Sequence, residues 1–301
     1  PAPSDRNKHI PKPNLATIME TTHDIKELEE IARQLRVQTL KVIHHAGSGH
    51  PGGSLSATDM ISALYFSRLK HNPDEPHWPG RDRFVLSKGH CCPILYCALA
   101  RQGYFAEEEL WKLRKLGALL QGHPHPKIPG IETAAGSLGQ GCNVALGMAL
   151  AVKIDAKQEG MDKDHTPKVY CMVGDGESQE GSLWEAIMAA KQFHADNFVL
   201  IIDNNQVQQT GKVTEIMDIG PLADKLKAFG WEYAEIDGND MAQVMNALTA
   251  ADNQTGPFCI ISHTLKGKGV SFMELNKEFH GRSPTDEELQ KALVELGEVS
   301  A

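Results

Sequence analysis

Behind a polar start, the apolar positions of this chain change period along its length. Ile25, Leu28, Ile31, Leu35 and Val42 recur at helical spacing behind Asp24, a good capping residue, and predict one amphipathic helix over 24–45. That helix ends at HHAGSGHPGGS, whose glycines do not continue it. Further helices are expected over 56–69, 91–102 and 106–117, with a surface loop, KHNPDEPHWPGRD, and a short strand, Phe84 to Leu86, after the first of them. Residues 122–141, GHPHPKIPGIETAAGSLGQG, hold too much Gly and Pro for regular structure, and a loop of that length in a compact domain is usually a working one. A small-residue helix follows over 139–159.

The second half alternates. Strands are expected at 168–173, 198–203, 231–236 and 257–263, with helices at 182–194, 221–229, 240–252 and 285–297. Such alternation means β-α-β crossovers, hence an α/β fold with a mostly parallel sheet and helices on both faces. No repeat or low-complexity linker divides the chain, so 24–301 reads as one domain behind an extended arm over 1–23, where Pro1, Pro3, Pro11 and Pro13 block regular hydrogen bonding.

Composition narrows the functional classes. Thirty basic against 39 acidic residues give a net charge of -9, which disfavours a phosphate-backbone binder, and no basic stripe is present. No apolar stretch is long enough to span a bilayer, and the first 30 residues lack the apolar centre of a secretion signal, so an intracellular, cytoplasmic protein without nucleic-acid or membrane partners is expected. Cys91, Cys92, Cys97, Cys142, Cys171 and Cys259 are scattered without a C-x-x-C pair and read as reduced thiols rather than zinc ligands. Gly47, Gly49 and Gly52 match the spacing of a dinucleotide loop, but a helix precedes them where that loop requires a strand.

The stretch VYCMVGDGESQEGSLWEAIMAAKQFHADNFVLIIDNN carries the chemistry. In a parallel sheet the loops after the strands emerge on one edge, where ligands bind. Asp175 follows one strand and Asn205 the next, and a backbone carbonyl is exposed near Val207. A carboxylate, an amide oxygen and a carbonyl suit a magnesium or calcium ion that completes its shell with phosphate oxygens and water. Gly174 and Gly176 permit close backbone approach, and a helix from about Ser182, with Glu185 in capping-box position, turns its positive end toward the same edge. Either turn alone is an ordinary strand-to-helix connection. Together, each at a strand's end, they favour a diphosphate held through a divalent metal.

With those residues in place the chain resembles the N-terminal, diphosphate-binding half of transketolases, which are thiamine-diphosphate enzymes. GSGHPGGSLS, DRFVLSKGH, the 122–141 loop, VGDGESQEGSLWEA, DNNQVQQTG and LKGKGVSFMELNKEFHG come in the family's order over roughly residues 25–285. The resemblance implies that Asp175, Asn205 and the Val207 carbonyl bind the metal and that Gly174 and Gly176 approach the diphosphate. It implies that Gly136 and Leu138 contact the aminopyrimidine, and that Lys266 and Gln209 lie in the cofactor site. His50, His90, His123 and His280 match histidines around the reacting carbon and sugar hydroxyls, His90 and His280 also touching cofactor, while Glu180 and Glu185 match glutamates that link active sites across a dimer. Imidazoles suit this chemistry, because protons move at sugar hydroxyls near neutral pH as a carbon–carbon bond breaks. His9, His23, His71, His77, His165 and His194 are expected in surface or packing roles, with His45 and His125 beside the motifs but outside them.

The chain departs from the family in length, lacking the pyrimidine-binding domain that carries the activating glutamate and most phosphate-gripping residues. The expectation is a split enzyme: a separate C-terminal subunit supplies that glutamate, two copies of each assemble as an α2β2 heterotetramer, and a two-carbon ketol unit passes from a ketose phosphate to an aldose phosphate, as in the pentose phosphate pathway. An excised domain is the alternative account of the length. Alternative functions are the α subunit of a thiamine-diphosphate 2-oxo acid dehydrogenase, disfavoured by the histidine motifs, and a non-catalytic assembly subunit, disfavoured because the metal and histidine positions are intact. A sulfo- or deoxy-sugar substrate stays open.

Overall fold

The computed structural model describes residues 22–162 and 165–298. The expected arm over 1–23 lies outside the described residues except at its end, where the Thr22 amide donates to the Phe66 carbonyl at 3.0 Å and His23 Nδ1 meets the Ser67 hydroxyl at 2.9 Å.

Five strands form one sheet: β1 (Arg83–Leu86), β2 (Val169–Gly174), β3 (Phe198–Asn204), β4 (Glu232–Asp237) and β5 (Phe258–His263). Their order is β1-β2-β3-β5-β4 and every pairing is parallel. All of β2 is buried because both faces of the sheet are covered. Tyr170, Met172, Val199, Ile201 and Ile260 pack into one apolar layer with α1 (Ile25–Ala46), α3 (Thr58–Ala63), α4 (Cys92–Arg101) and α9 (Met241–Asp252). The alternate residues Cys171, Val173, Leu200, Ile202, Cys259 and Ile261 pack against α5 (Gln140–Gln158), α6 (Gly181–Gln192) and α8 (Leu222–Ala228). At roughly 1.5–3 kcal/mol for each fully buried large apolar side chain, these layers supply the main drive for folding. A third cluster joins Val37, Leu40 and Leu55 to Phe279 and to Leu289 and Leu293 of α10 (Asp286–Glu295). Among the described residues no helix is long and apolar enough to cross a membrane.

The expected helix at 24–45 forms, capped by Asp24 Oδ1 on the Glu27 amide at 3.0 Å and closed by Gly47 at φ 65°. The following glycines behave differently from expectation. Pro51–Ser56 is itself a helix, α2, with Pro51 supplying the first-turn φ. Gly52 and Gly53 serve close packing there, since a Cβ on Gly53 would come within 2.5 Å of Cys91 Sγ. The helix expected at 56–69 breaks at Ala57 and widens into a π-turn over Leu64–Arg68. No α-helix forms at 106–117: Glu107–Lys112 is 3-10, Leu113 turns extended, and Arg114 takes φ 61°. Nor is Glu185 in a capping box, because Glu180 is the N-cap of α6 and Leu183 occupies the third position. A reciprocal box does close α10, between Thr285 and Glu288. The remaining helix, α7 (Val213–Ile216), is a single turn that the apolar pattern does not mark.

Candidate active site at the carboxyl edge of the sheet

Strand register decides which side chains meet. Gly174 pairs with Asp203, Asp203 with Ser262, and Asn204 with His263, so Asp175, Asn205 and Thr264 emerge together from the same edge. Asp175 Oδ1 accepts the Gly176 amide at 2.7 Å, and Oδ2 accepts the Gln206 amide at 2.5 Å. Gln206 takes a left-handed φ of 72°, which turns its amide back toward that carboxylate. The Asn205 amide group is also fixed: Nδ2 donates to Asp203 Oδ2 at 3.0 Å and to Ser56 Oγ at 3.4 Å, while Oδ1 accepts the Val207 amide at 3.3 Å. The Val207 carbonyl is met by Lys266 Nζ at 2.5 Å. Burial, with the Asp203 carboxylate nearby, pushes the Asp175 carboxyl up to about 6.

Beneath these groups lies a buried ionic network. Lys88 Nζ pairs with Asp203 Oδ2 and donates to the Gly53 carbonyl at 3.0 Å. Asp203 further accepts from the hydroxyls of Ser56 at 2.7 Å and Thr264 at 2.6 Å. Burial works against both charges, yet mutual attraction and these hydrogen bonds outweigh it, leaving the ammonium above and the carboxyl below their ordinary values. Glu177 is the second buried carboxylate. It accepts from Ser87 Oγ at 2.5 Å, the Gly139 amide at 2.8 Å and the Gly174 amide at 3.1 Å, tying the ends of β1 and β2 to the start of α5.

Three histidines form a compact triangle beside this floor. The ring centroids of His50 and His90 lie 5.1 Å apart, those of His90 and His280 5.1 Å, and those of His50 and His280 5.5 Å. Burial holds all three neutral, helped by neighbouring Arg114, Lys88 and Lys266: His50 and His280 fall to about 3 and His90 to about 4. Lys266, desolvated in turn, falls to about 8 and so remains an ammonium at neutral pH, donating to His280 Nδ1 at 2.7 Å.

A cavity of about 390 Å³ gathers nearly every residue singled out from the sequence: His50, His90, Gly136, Leu138, Gly174, Asp175, Gly176, Glu180, Asn205, Val207, Gln209, Lys266 and His280. His123 does not line it; its surface is largely exposed, and partial desolvation of the ring, with His90 and Arg114 nearby, lowers its pKa. Glu185 is exposed on α6, away from the cavity lining. Past His50 and His280 the cavity adjoins an open outer one of about 520 Å³, walled by Gln209, Thr210, Lys277 and Glu278. Sequence reasoning missed Lys88, Glu177, Asp203 and Arg114. Three of them sit inside the motifs SKGH, DGES and DNN, where a charged residue in an otherwise apolar or glycine-rich run was the available signal; Arg114 offers none.

A parallel sheet whose carboxyl edge presents a carboxylate, an amide oxygen and a carbonyl beside neutral histidines defines an α/β cofactor-binding domain. Residues 28–299 match the family model described as transketolase, thiamine diphosphate binding domain. The chain therefore belongs to the transketolase family, as its N-terminal, thiamine-diphosphate-binding part, and the family match sets aside the 2-oxo acid dehydrogenase reading. It is 42% identical over 273 residues to the 6-deoxy-6-sulfo-D-fructose transketolase subunit SqwG of Clostridium sp. (strain MSTE9), covering 90% of this chain and 96% of that one. It is 39% identical over 275 residues to an apulose-4-phosphate transketolase subunit of Phocaeicola vulgatus, covering 91% and 95%. The crystal structure of transketolase from Campylobacter jejuni superposes with a TM-score of 0.86 at 36% identity, over 91% of this chain but 43% of that longer one.

Proposed function

We propose that this chain is the N-terminal subunit of a heteromeric, cytoplasmic transketolase that moves a two-carbon ketol unit from a ketose to an aldose phosphate. The observation that carries the reading is the single cavity in which Asp175, Asn205, the Val207 carbonyl and three neutral histidines meet. Near-complete alignment with two proteins named as transketolase subunits supports a separate partner chain. That partner would supply the activating glutamate and assemble with this chain as an α2β2 heterotetramer, with Glu180 and Glu185 as the linking carboxylates. The two relatives are named for apulose-4-phosphate and 6-deoxy-6-sulfo-D-fructose, which extends the candidate donors from ketose phosphates to sulfonated ketoses.

The donor set fits a divalent cation. Asp175 is a buried carboxylate whose two oxygens accept backbone amides, and burial, with the Asp203 carboxylate nearby, raises its pKa, a cost that a bound cation would offset. Asp175, Asn205 Oδ1 and the Val207 carbonyl would hold magnesium or calcium, and with it the diphosphate of thiamine diphosphate. Gly174 and Gly176 leave room for the diphosphate, and Lys266 and Gln209 would contact it. Gly136 and Leu138 would seat the aminopyrimidine. When bound, the cofactor supplies the nucleophilic carbon that carries the ketol unit. This chain's residues bind and orient: His50, His90 and His280 exchange hydrogen bonds with sugar oxygens, and His123 reaches the substrate from the rim.

Calorimetry with thiamine diphosphate and magnesium, on the chain mixed with its partner, tests the reading alongside a ketol-transfer assay. Binding and transfer by the mixture are expected. Absence of heat at any concentration would make a non-catalytic assembly role the better description, and full transfer by this chain alone would remove the two-chain scheme.

A further inference from the structure

Two of the three clustered histidines have a basic side chain on one ring nitrogen. Arg114 NH2 approaches His50 Nδ1 at 3.4 Å, and Lys266 Nζ approaches His280 Nδ1 at 2.7 Å. The guanidinium has no acceptor to offer, and Lys266, donating as an ammonium to the Val207 carbonyl on its other side, has none either, so each Nδ1 is the unprotonated nitrogen. A neutral imidazole then carries its proton on Nε2. Neither ring nitrogen of His90 has a hydrogen-bond partner among the described residues, so its proton is not assigned by any neighbour.

The placement of Arg114 has features of a built position. Its backbone sits at φ 61°, a conformation costly for a side chain of this size. A Cβ on Gly122 would fall 2.9 Å from the guanidinium, so glycine clears the space it occupies. Its NH1 donates to Ser48 Oγ at 3.0 Å, while its buried Nε has no partner. Lys266 is likewise fixed from two sides, by the Val207 carbonyl at 2.5 Å and by His280.

We propose that Arg114 and Lys266 are tautomer-setting positioning residues: they lock His50 and His280 as Nε2–H donors and leave His90 as the ring able to switch. Its catalytic meaning rests on the proposed function. Under it, His50 and His280 stand between the inner and outer cavities, and two fixed N–H groups there stabilise negative charge developing on a sugar oxygen without rearrangement. His90, deeper and unlocked, can accept a proton on one nitrogen and release one from the other.

Long-range proton–nitrogen correlation spectra of the full chain, labelled with nitrogen-15 histidine and assigned by single His→Gln variants, test this directly. At neutral pH, His50 and His280 are expected as pure Nε2–H tautomers and His90 as an average of both. An Nδ1–H pattern at His50 or His280 in the unmodified chain overturns the proposal without any variant. Arg114→Met is expected to shift His50 to an averaged pattern while His280 stays fixed, with Arg114→Lys restoring it. Lys266→Met is expected to do the converse, with Lys266→Arg restoring His280. An unaltered His50 in Arg114→Met, or an unaltered His280 in Lys266→Met, also overturns it. The spectra need neither cofactor nor partner, so failure here leaves the proposed function standing, and a calorimetric blank with thiamine diphosphate strikes the proposed function alone.

Discussion

Lys88 and Asp203 pair across the end of β2, one arriving from the loop after β1 and the other from β3, with side chains only 2% and 1% exposed. Two charges so far from water are tolerable only together. Lys88→Met would leave the Asp203 carboxylate buried and uncompensated, and a loss of about 3–5 kcal/mol is expected in urea unfolding. Lys88→Met combined with Asp203→Asn removes the stranded charge and should be more stable than Lys88→Met alone. Equal stability would show that the charge is not what the lysine neutralises.

Asn205→Asp is expected to weaken the site although it adds negative charge where a cation is proposed. Its Nδ2 donates to Asp203 Oδ2 at 3.0 Å, and an oxygen there would face another carboxylate. A stability loss of about 1–3 kcal/mol and weaker magnesium binding by calorimetry are the expected outcomes. Tighter binding would mean that the amide is not oriented by Asp203.

The pH dependence follows from the histidine triangle. His50 and His280 titrate near 3 and His90 near 4 in the fold, against about 6.5 when exposed. Below the unfolded value the open chain takes up protons that the folded one refuses. The stability contribution is therefore complete above about pH 6.5 and is lost as pH falls toward 4 and then 3. Urea unfolding across that window should show a falling limb, and His90→Gln should flatten it; an unchanged slope would mean that His90 is not held neutral by its surroundings.

Gly89→Ala should act on the glycine-rich loop rather than on the sheet. A Cβ at Gly89 would lie 1.7 Å from the Ala135 carbonyl oxygen, a backbone atom that can yield only if the loop moves. That loop carries Gly136 and Leu138 into the cavity. Faster amide exchange over 134–138 and weakened binding of thiamine diphosphate, with the strands still protected, are expected. Unchanged exchange would show that the loop does not rest on Gly89.

The strands and most helices were legible because their apolar runs are long and bounded by glycine or capping residues. Asp175 and Asn205 were legible for a related reason, as polar residues at the ends of such runs. What escaped depended on contacts made in three dimensions. The glycines at 52 and 53 look like helix breakers in the sequence, yet Cys91 and Lys266 pack against their bare backbone inside a helix. The 106–117 stretch has helical spacing at Leu110 and Leu113, but the turn that follows, with Arg114 at positive φ, stops it at one 3-10 segment. Lys88 gave no periodic signal, since its meaning comes from Asp203, more than a hundred residues away.

The sheet itself raises a question of alignment. With apolar layers on both faces, sliding β2 one residue past β3 would exchange one greasy surface for another, so hydrophobicity alone penalises the slip weakly. The polar fastenings at the carboxyl ends are less forgiving: Glu177 holds the Gly174 amide beside Ser87, and Asp203 holds Lys88. The groups that shape the cofactor cavity thus also act as the keying that stops neighbouring strands from mating out of step, which makes the site a determinant of the fold on which it sits.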